Sequence, residues 1–329
     1  MSANTHVDRL LTDHAIAYVR NNPGAARQAL TQPVPVTRTS DLIYVWDRAD
    51  FLRDDFRGTG YGDAAPIWRP GGATVRYQIQ PEALAAQIVW QERDNADDPA
   101  QYERALVEGL MSKALYAEDR VFASSVMLNT SWASTNRLEG VSSSPTGLQF
   151  LSFAQSGSDP IGVIERGRDI ARTQTGGSAV PNVLVVSADV DRTLRSHSQI
   201  QTKINAAISG NGILTGAARR EQMAGIFGVD RYVVIDVARV TSVEGNATIT
   251  TTDLSSGQMC LMHAPSSPSL VSPAAVKLFE LRGPAVTGVG AVRRWTDDRL
   301  RSDMIEAMIG IDARVTANVA GVHFASCLA

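Results

Sequence analysis

The stretch DDPAQYERALVEGLMSKALYAEDRVFASSVMLN, residues 97–129, is the longest helix candidate of the chain. Asp98 suits the N-cap position, and Pro99 is tolerated in the first turn of a helix that begins there. Apolar residues recur along one side at helical spacing. They are Tyr102, Leu106, Leu110, Ala114, Ala117 and Val121. At ~1.5 Å per residue, about thirty residues span roughly 45 Å, so the sequence predicts a spine-like helix in a thin, wide subunit.

The segment before this helix is rich in β patterns. TQPVPV (31–36) is extended, and its two prolines bar it from a central strand, which predicts an arm across a surface. DLIYVWDRADF (41–51) carries the β-branched and aromatic residues typical of a strand. Period-two alternation over 74–80 and again over 84–91 predicts two half-buried strands. The glycine-rich loop RGTGYGDAAPIWRPGG (57–72) therefore lies within a long β excursion.

After the spine, alternating helix and strand patterns predict a compact α/β unit. Its elements are a helix over 159–177 with Asp159 as N-cap, a buried strand over 181–187, a helical segment over 189–207, a helix over 219–227 and a strand over 231–238. At the C-terminus, alternate positions from Ile305 to Val319 are all apolar. Fifteen residues exceed the usual strand length of about three to ten, and Gly310 is the candidate bend.

Composition narrows the class of protein. The chain has 329 residues, a formal net charge of -3 and 44% hydrophobic residues, as expected of a soluble protein with one large or two ordinary domains. No membrane-length apolar stretch and no signal-peptide layout is present, which predicts an intracellular product without a membrane partner. Two cysteines argue against a disulfide scaffold. A pI of about 6.0 argues against a dedicated nucleic-acid binder.

The glycine-rich loop superficially resembles a phosphate-binding loop. Gly58, Gly60 and Gly62 form G-x-G-x-G, which matches neither the P-loop nor the dinucleotide fingerprint. Pro66 and Pro70 then forbid the helix whose N-terminus would hold the anion. We therefore do not expect phosphate binding at this loop.

Metal and hydrolase chemistry are also weakly supported. Cys260, His263, His323 and Cys327 have the composition of a zinc centre, but positions 260 and 263 point to opposite faces of a strand. Ser187 follows a strand as a nucleophile could, yet it more simply caps the next helix. Motifs of the G-x-S-x-G and H-E-x-x-H type are absent from the sequence. We expect no catalytic residue, cofactor or metal, although a composite triad keeps a soluble α/β enzyme as an alternative.

The order of these elements resembles the major capsid proteins of tailed bacteriophages, which have the Hong Kong 97-type fold. The resemblance covers nearly the whole chain. Its most specific pieces are QPVPV, the spine YERALVEGLMSKALYAEDRVFASSVMLN, PNVLVVSADVDRTLRSHSQI leading to MAGIFGVDRYVVI, and the end RWTDDRLRSDMIEAMIGIDARVTANVAGVHF. No single motif is diagnostic, so the resemblance rests on their order.

The resemblance implies an α+β fold with an N-terminal arm, an extended β loop, a long spine helix, a peripheral domain and an α/β axial domain. The implied bounds are 1–50 for the arm and first strand, 51–93 for the extended loop, 94–158 and 295–329 for the peripheral domain, and 159–294 for the axial domain. The tip of the extended loop would reach over a neighbouring subunit. Glycine and proline let such a tip conform to that neighbour.

The implied function is structural: self-assembly through pentamers and hexamers into the icosahedral shell around a double-stranded DNA genome. Implied partners are other copies of the chain, a portal protein, a scaffold, a decoration protein and, non-specifically, the packaged DNA. The predicted assembly contacts are Pro33, Pro35, Arg57, Tyr61, Trp68, Arg69, Glu103, Arg104, Glu108 and Asp119. An encapsulin-type nanocompartment shell is the alternative with the same fold.

Some members of this family lock their shells with an isopeptide bond formed by a loop lysine. This chain has three lysines, Lys113, Lys203 and Lys277, and none precedes residue 113. Arginine offers no free amine nucleophile because its guanidinium stays protonated. The sequence therefore predicts a shell held without covalent cross-links.

Overall fold

The structure is a computed structural model that describes residues 6–54, 56, 61–62, 64–65, 67, 73–95, 97–207, 216–242, 248, 250–283 and 291–329. Its helices are α1 Arg9–Asn21, α2 Ala25–Leu30, α3 Arg48–Leu52, α4 Trp90–Asp94, α5 Pro99–Val126, α6 Pro160–Thr175, α7 Ala188–Ser196, α8 Ser198–Ala207 and α9 Gly216–Phe227. Its strands are β1 His6–Val7, β2 Val34–Val36, β3 Ser40–Tyr44, β4 Thr74–Gln78, β5 Glu82–Val89, β6 Arg137–Val141, β7 Gln149–Leu151, β8 Val183–Ser187, β9 Arg231–Ile235, β10 Ala238–Val240, β11 Thr251–Asp253, β12 Met259–Met262, β13 Val276–Leu281, β14 Val292–Asp297, β15 Ser302–Ile309, β16 Ile311–Val315 and β17 Gly321–Ala325.

A six-stranded mixed sheet with the order β7-β6-β17-β12-β8-β9 forms the centre of the molecule. Strand β12 runs antiparallel to both of its neighbours, whereas β8 and β9 are parallel. All five residues of β8 are buried because helices cover both faces of the sheet. Val183 and Val185 pack with α2 and the end of α5, and Leu184 and Val186 pack with α6, α7 and α9.

The predicted spine helix is confirmed as α5, with 28 residues. The Asp98 carboxylate accepts hydrogen bonds from the backbone N–H groups of Ala100 and Gln101, and Pro99 occupies the first turn, as predicted. The helix packs on a four-stranded sheet of order β1-β14-β15-β5, together with α1. The last turns of α5, with Phe122, Ala123 and Val126, instead join the core that also contains residues of the six-stranded sheet.

The buried face of α5 is offset from the predicted apolar stripe. Leu110 and Ala114 are buried, but the other four stripe residues are only partly buried. The buried residues are Val107, Leu110, Met111, Ala114, Leu115, Glu118, Phe122, Ala123 and Val126. The offset arises because α5 lies between two sheets, so its contact face is wider than one stripe and includes a carboxylate, Glu118.

The single long C-terminal strand predicted over 305–319 is wrong, but the chain does break at Gly310, the predicted bend. Strand β15 alternates between buried and partly buried residues and pairs with β5 in the four-stranded sheet, whereas β16 begins with three buried residues and pairs with β13 in a three-stranded sheet. A Cβ atom at position 310 would lie 3.0 Å from the Leu281 Cβ and 3.3 Å from the Ile79 Cγ2. Glycine therefore permits the close approach at the point where the chain changes sheets.

Two other segments depart in detail from the sequence-based expectations, whereas the arm agrees with them. Strand β3 ends at Tyr44, and the rest of 41–51 leads into α3 through a capping box between Asp47 and Asp50. The helical segment 189–207 divides into α7 and α8 at His197, whose backbone is extended. The arm forms β2, an edge strand parallel to β13, as its prolines require.

The predicted domain bounds remain a prediction, but the sheets cross them. Strands β6 and β7, from 94–158, and β17, from 295–329, join the sheet that contains β8, β9 and β12. The chain therefore returns to its central sheet at its C-terminal end.

Candidate assembly interface

The base of the extended loop is fixed to the body of the subunit. Strands β3 and β4 pair antiparallel from Ser40 opposite Gln78 to Tyr44 opposite Thr74. The Tyr77 ring, 3% exposed, stacks on Phe279 with ring centroids 4.8 Å apart. The Gln78 N–H donates to the Asp312 Oδ2 at 2.8 Å. Aromatic packing and a charge-assisted hydrogen bond thus hold the two strands on the three-stranded sheet.

A second attachment follows β3. The Trp46 N–H donates to the Thr316 carbonyl at 2.9 Å, and its indole Nε1–H donates to the Val271 carbonyl at 3.1 Å. The ring also packs against Phe51 at a centroid distance of 5.6 Å. The excursion is therefore anchored to the subunit as far as α3, which ends at Leu52.

Beyond α3, the described residues of the tip lose contact with the body. Phe56 and Ile67 are 97% and 80% exposed, and Tyr61 is fully exposed. Large apolar side chains that are exposed and close in sequence suit a contact with another molecule. Of the predicted tip contacts, the structure places Tyr61 in this position; Arg57, Trp68 and Arg69 lie outside the described residues.

The predicted contacts on α5 differ in what they already bind. Arg104 is exposed. Glu103 accepts two hydrogen bonds from the Arg294 guanidinium, each 3.1 Å long. Arg294 also donates to Asp303 at 2.8 Å, and Asp303 binds Arg93 at 2.9 Å. Burial alone would lower the pKa of Arg294, but its hydrogen bonds to these carboxylates raise it. Glu103 therefore belongs to an internal network that ties α5 to the four-stranded sheet.

Glu108 and Asp119 also have partners within the chain. The Glu108 Oε1 lies 3.0 Å from the His14 Nε2 on α1. The Asp119 carboxylate accepts from the backbone N–H groups of Ala25 and Ala26 at 3.0 and 2.8 Å, so it caps α2. These partners are more than ninety residues away in sequence, which is why spacing along α5 could not predict them. An assembly role for either residue stays a prediction.

The arm prolines take different positions. Pro35 is exposed at the outer edge of the three-stranded sheet, and Val34 and Val36 on either side of it are buried. Pro33 lines an open cleft of about 910 Å³ between the arm and helices α1 and α2. Both prolines thus border surfaces that a neighbour could reach, and their contacts with a neighbour stay a prediction.

The floor of this cleft holds a buried ion network that sequence patterns did not reveal. Arg27 donates to the Glu118 Oε2 and to the Glu280 Oε1, both at 3.0 Å, and Arg282 donates to the Glu280 Oε2 at 3.0 Å. Glu118 is 1% exposed, and its second oxygen, Oε1, has no hydrogen-bond partner among the described residues. Burial raises the pKa of Glu118 to about 7 against the opposing effect of Arg27.

The four Cys and His residues that were considered as zinc ligands do not surround a common point. Cys260 and His323 are opposite each other on β12 and β17, but Cys327 packs on the other side of the sheet. The His323 Nε2–H donates to the Met127 carbonyl at 3.0 Å, and burial lowers the pKa of this imidazole to about 4. His263 contacts the Val180 carbonyl instead. Across the described part of the chain, no group of three or more His, Cys, Asp or Glu residues is arranged to hold a metal ion.

The serine candidate is a structural residue. Ser187 precedes α7, but its hydroxyl donates to the Asp189 side chain instead of capping the helix backbone. The Asp189 carboxylate also accepts from Ser256 and from the Gly257 N–H, and these hydrogen bonds lower its pKa against the opposing effect of burial. Over the described residues, none of the helices is both long and apolar enough to cross a membrane.

Comparison with proteins of known structure shows which fold this is. No family model matches the chain. A phage-related protein of Bordetella bronchiseptica RB50 has a similar structure, with a TM-score of 0.71 and 16% identity over 98% of this chain and 97% of the other. The encapsulin SrpI of Synechococcus elongatus PCC 7942 follows at a TM-score of 0.51 and 10% identity, covering 89% of this chain and 84% of the other. The chain therefore has the Hong Kong 97-type fold of viral capsid and encapsulin shells.

Sequence similarity points to one branch of this fold. The major capsid protein of Burkholderia phage BcepMu is 41% identical over 58 residues, which are 18% of this chain. The matched stretch also covers 18% of that relative's length. Over this stretch the chain is similar to a phage major capsid protein, in agreement with the resemblance predicted from the sequence.

Proposed function

We propose that this chain is the major capsid protein of a tailed phage and builds the icosahedral shell that encloses the double-stranded DNA genome. The observation that carries the proposal is the contrast within the extended loop. Its base is anchored to the three-stranded sheet, whereas Phe56, Tyr61 and Ile67 at its tip are exposed. A rigid base that presents apolar side chains to solvent suits a contact with another copy of the chain.

The repeated contact explains how modest interactions give a stable particle. Each subunit in closed symmetry donates its loop to one neighbour and receives a loop from another. Because every chain engages several others at once, the shell is more stable than any single contact. Pentamers and hexamers are the assembly units that we propose, with assembly in the cytoplasm of the bacterial host.

The other proposed partners follow from enclosing a genome. A portal protein would provide the entry for DNA, a scaffold would guide closure, and a decoration protein would reinforce the outer surface. Contact with DNA would be non-specific, in keeping with the net charge of -3. The role is structural and requires no catalysis.

We further propose that the shell is held without covalent cross-links. Lys113 and Lys203 are exposed on α5 and α8. Lys277 is 1% exposed, its ammonium donates to the Leu270 carbonyl at 2.8 Å, and burial lowers its pKa to about 8. No lysine lies on the extended loop. The lysine that is chemically most activated is therefore enclosed in its own subunit.

The absence of cross-links is tested by denaturation. Mature particles boiled in detergent should release a single band at the monomer mass of 35.3 kDa. A ladder of multimers that persists in reducing agent would contradict a non-covalent shell.

The function itself is tested by electron microscopy of the purified chain and of particles from infected or induced cells. Closed shells that contain double-stranded DNA are expected. A small oligomer at all concentrations would contradict the proposal and would return attention to the α/β enzyme alternative.

An encapsulin-type compartment is the second candidate, and its support is the likeness to the SrpI shell protein. Both candidates predict closed shells, so the contents decide between them. Particles that carry a protein cargo and no DNA would favour the encapsulin-type compartment.

A further inference from the structure

A pocket of about 330 Å³ lies on the helical side of the six-stranded sheet, away from the extended loop. Helix α7 forms one wall, α9 forms the other, and strand β9 forms the floor. Some of the lining side chains have little exposure, with Tyr232 of β9 at 6%, Asp191 of α7 at 7% and Met223 of α9 at 1%. A polar ligand in this pocket would therefore be partly shielded from bulk water, where charge interactions are stronger than at an open surface.

The charge in this pocket is unbalanced. Four arginines line it: Arg192, Arg195, Arg219 and Arg220. Among the described residues that line it, Asp191 is the one carboxylate. Asp191 is already committed, because Arg195 binds its Oδ2 at 2.8 Å and the Tyr232 hydroxyl donates to its Oδ1 at 2.8 Å.

The other three guanidiniums have no such partner. Among the described residues, neither Arg192 nor Arg219 nor Arg220 makes an ion pair within 4.0 Å. All three are exposed. Three guanidinium groups around one small pocket repel each other unless an anion lies between them.

Helix α9 adds a second, independent reason. It spans Gly216–Phe227, and its first turn contains no acidic residue. Arg219 and Arg220 instead lie near this N-terminal end, where the helix dipole favours negative charge and disfavours cations. Their placement costs folding free energy in the isolated subunit. An anion bound between α7 and α9 would offset the unfavourable interaction of these arginines with the helix dipole. It would also reduce the repulsion between the arginines.

We propose that this pocket binds phosphate groups carried on a polyanion. The planar guanidinium donates two parallel hydrogen bonds to phosphate oxygens, so arginine is better suited than lysine to this ligand. A single carboxylate would neutralise one of the three free guanidiniums, whereas a chain of phosphates neutralises all of them. The phosphates can come from a free polyphosphate or nucleotide, or from the backbone of nucleic acid.

The test uses the full-length chain as a dispersed subunit, so its result does not depend on shell assembly. Binding of inorganic tripolyphosphate is measured by calorimetry at fixed ionic strength, with sodium sulfate as the control anion. A duplex oligonucleotide is measured in parallel. Tripolyphosphate should bind and raise the melting temperature, while sulfate at equal ionic strength should not.

The matched variants remove two charges each. Arg219→Gln with Arg220→Gln should weaken tripolyphosphate binding by about tenfold or more, because two charge-assisted contacts are lost. Arg9→Gln with Arg299→Gln changes the net charge equally, and both of these arginines are exposed outside the pocket. This control should bind like the unchanged chain. A third variant, Arg219→Lys with Arg220→Lys, keeps the charge and should lose part of the affinity.

The outcomes separate the sources of phosphate. Loss of tripolyphosphate binding in the glutamine variant supports a free polyphosphate or nucleotide, and loss of oligonucleotide binding alone supports the nucleic-acid backbone. Equal binding by the pocket variant and its control would overturn the proposal. The proposal would also be overturned if the glutamine variant changed assembly without changing either binding, since the arginines would then pair with a carboxylate of a neighbouring copy.

Discussion

The six-stranded sheet and the extended loop use similar residues in opposite ways. In the sheet, β8 is buried on both faces, and hydrophobic side chains alternate between two cores. In the tip of the loop, Phe56, Tyr61 and Ile67 are exposed, although side chains of this kind normally prefer burial. The sheet is specified by contacts within one chain. The tip lacks such contacts in its described residues, so its apolar groups are understandable only with a second molecule in place.

This comparison predicts that substitutions will divide into two kinds. Changes in the body should affect the free energy of unfolding of the subunit. Changes in the tip should leave that free energy nearly unchanged and should affect assembly.

Leu110→Asp should have the largest effect on folding. Leu110 is 5% exposed on α5, and a carboxylate there would be buried without a partner at a cost of several kcal/mol. Circular dichroism and solubility should show loss of the folded subunit. Ala105→Asp is the matched control, because Ala105 is exposed on the same helix. Unchanged melting of Leu110→Asp would mean that the helix face is misplaced.

Tyr77→Ala tests the base of the loop. Its ring is buried against Phe279, so truncation should cost about 3–5 kcal/mol by analogy with other buried aromatic residues. Arg76→Ala, at an exposed position of the same strand, should cost far less. Chemical denaturation would measure both. Equal losses in the two variants would show that the stacked ring is not what anchors the excursion.

The pH dependence of stability tests the buried carboxylate of Glu118. Its pKa in the folded chain, about 7, is above its ordinary value of 4.5. The folded state therefore binds this proton more tightly, so the stabilisation is fully present below about pH 4.5 and is lost as the pH rises through 7. The subunit should be less stable at pH 8 than at pH 5.5, by about 1–3 kcal/mol from this group.

Glu118→Gln should remove that part of the pH dependence, because the amide does not titrate. Glu165→Gln, at an exposed position of α6, should leave it unchanged. Denaturation at several pH values between 5 and 8.5 is the measurement. A Glu118→Gln variant with the same slope as the unchanged chain would place the responsible group elsewhere.

Sequence patterns predicted the elements that depend on local chemistry. Asp98 with Pro99 and Asp159 with Pro160 located the starts of α5 and α6, because caps act on the adjacent backbone. The two prolines of the arm predicted an extended segment outside the centre of a sheet, and the arm forms the edge strand β2. The order of elements was enough to identify the fold, which the comparison with solved structures confirms.

Features that depend on distant partners escaped prediction. The sequence indicated Gly310 as a bend, but the change of sheet at this point depends on close contact with Leu281 and Ile79, which no alternation pattern contains. Glu118 lies outside the predicted apolar stripe of the helix, yet it is 1% exposed and Arg27 binds its carboxylate. Glu103, Glu108 and Asp119 were predicted as assembly contacts from their place on α5, and the structure gives each of them a partner within the chain. Contacts with a neighbouring copy form only in an assembled particle, so the structure of a single chain does not contain them.

Deletion of residues 58–72, with a short Gly-Ser turn joining the ends, tests most directly that the loop tip holds a neighbour and not its own subunit. Circular dichroism, the melting temperature and sedimentation would be measured for the deletion variant and for the unchanged chain, prepared in the same way. We predict a soluble subunit with native helix content and nearly the same melting temperature that no longer forms closed shells. Particles at the yield of the unchanged chain, or a subunit that fails to fold, would contradict this account of assembly.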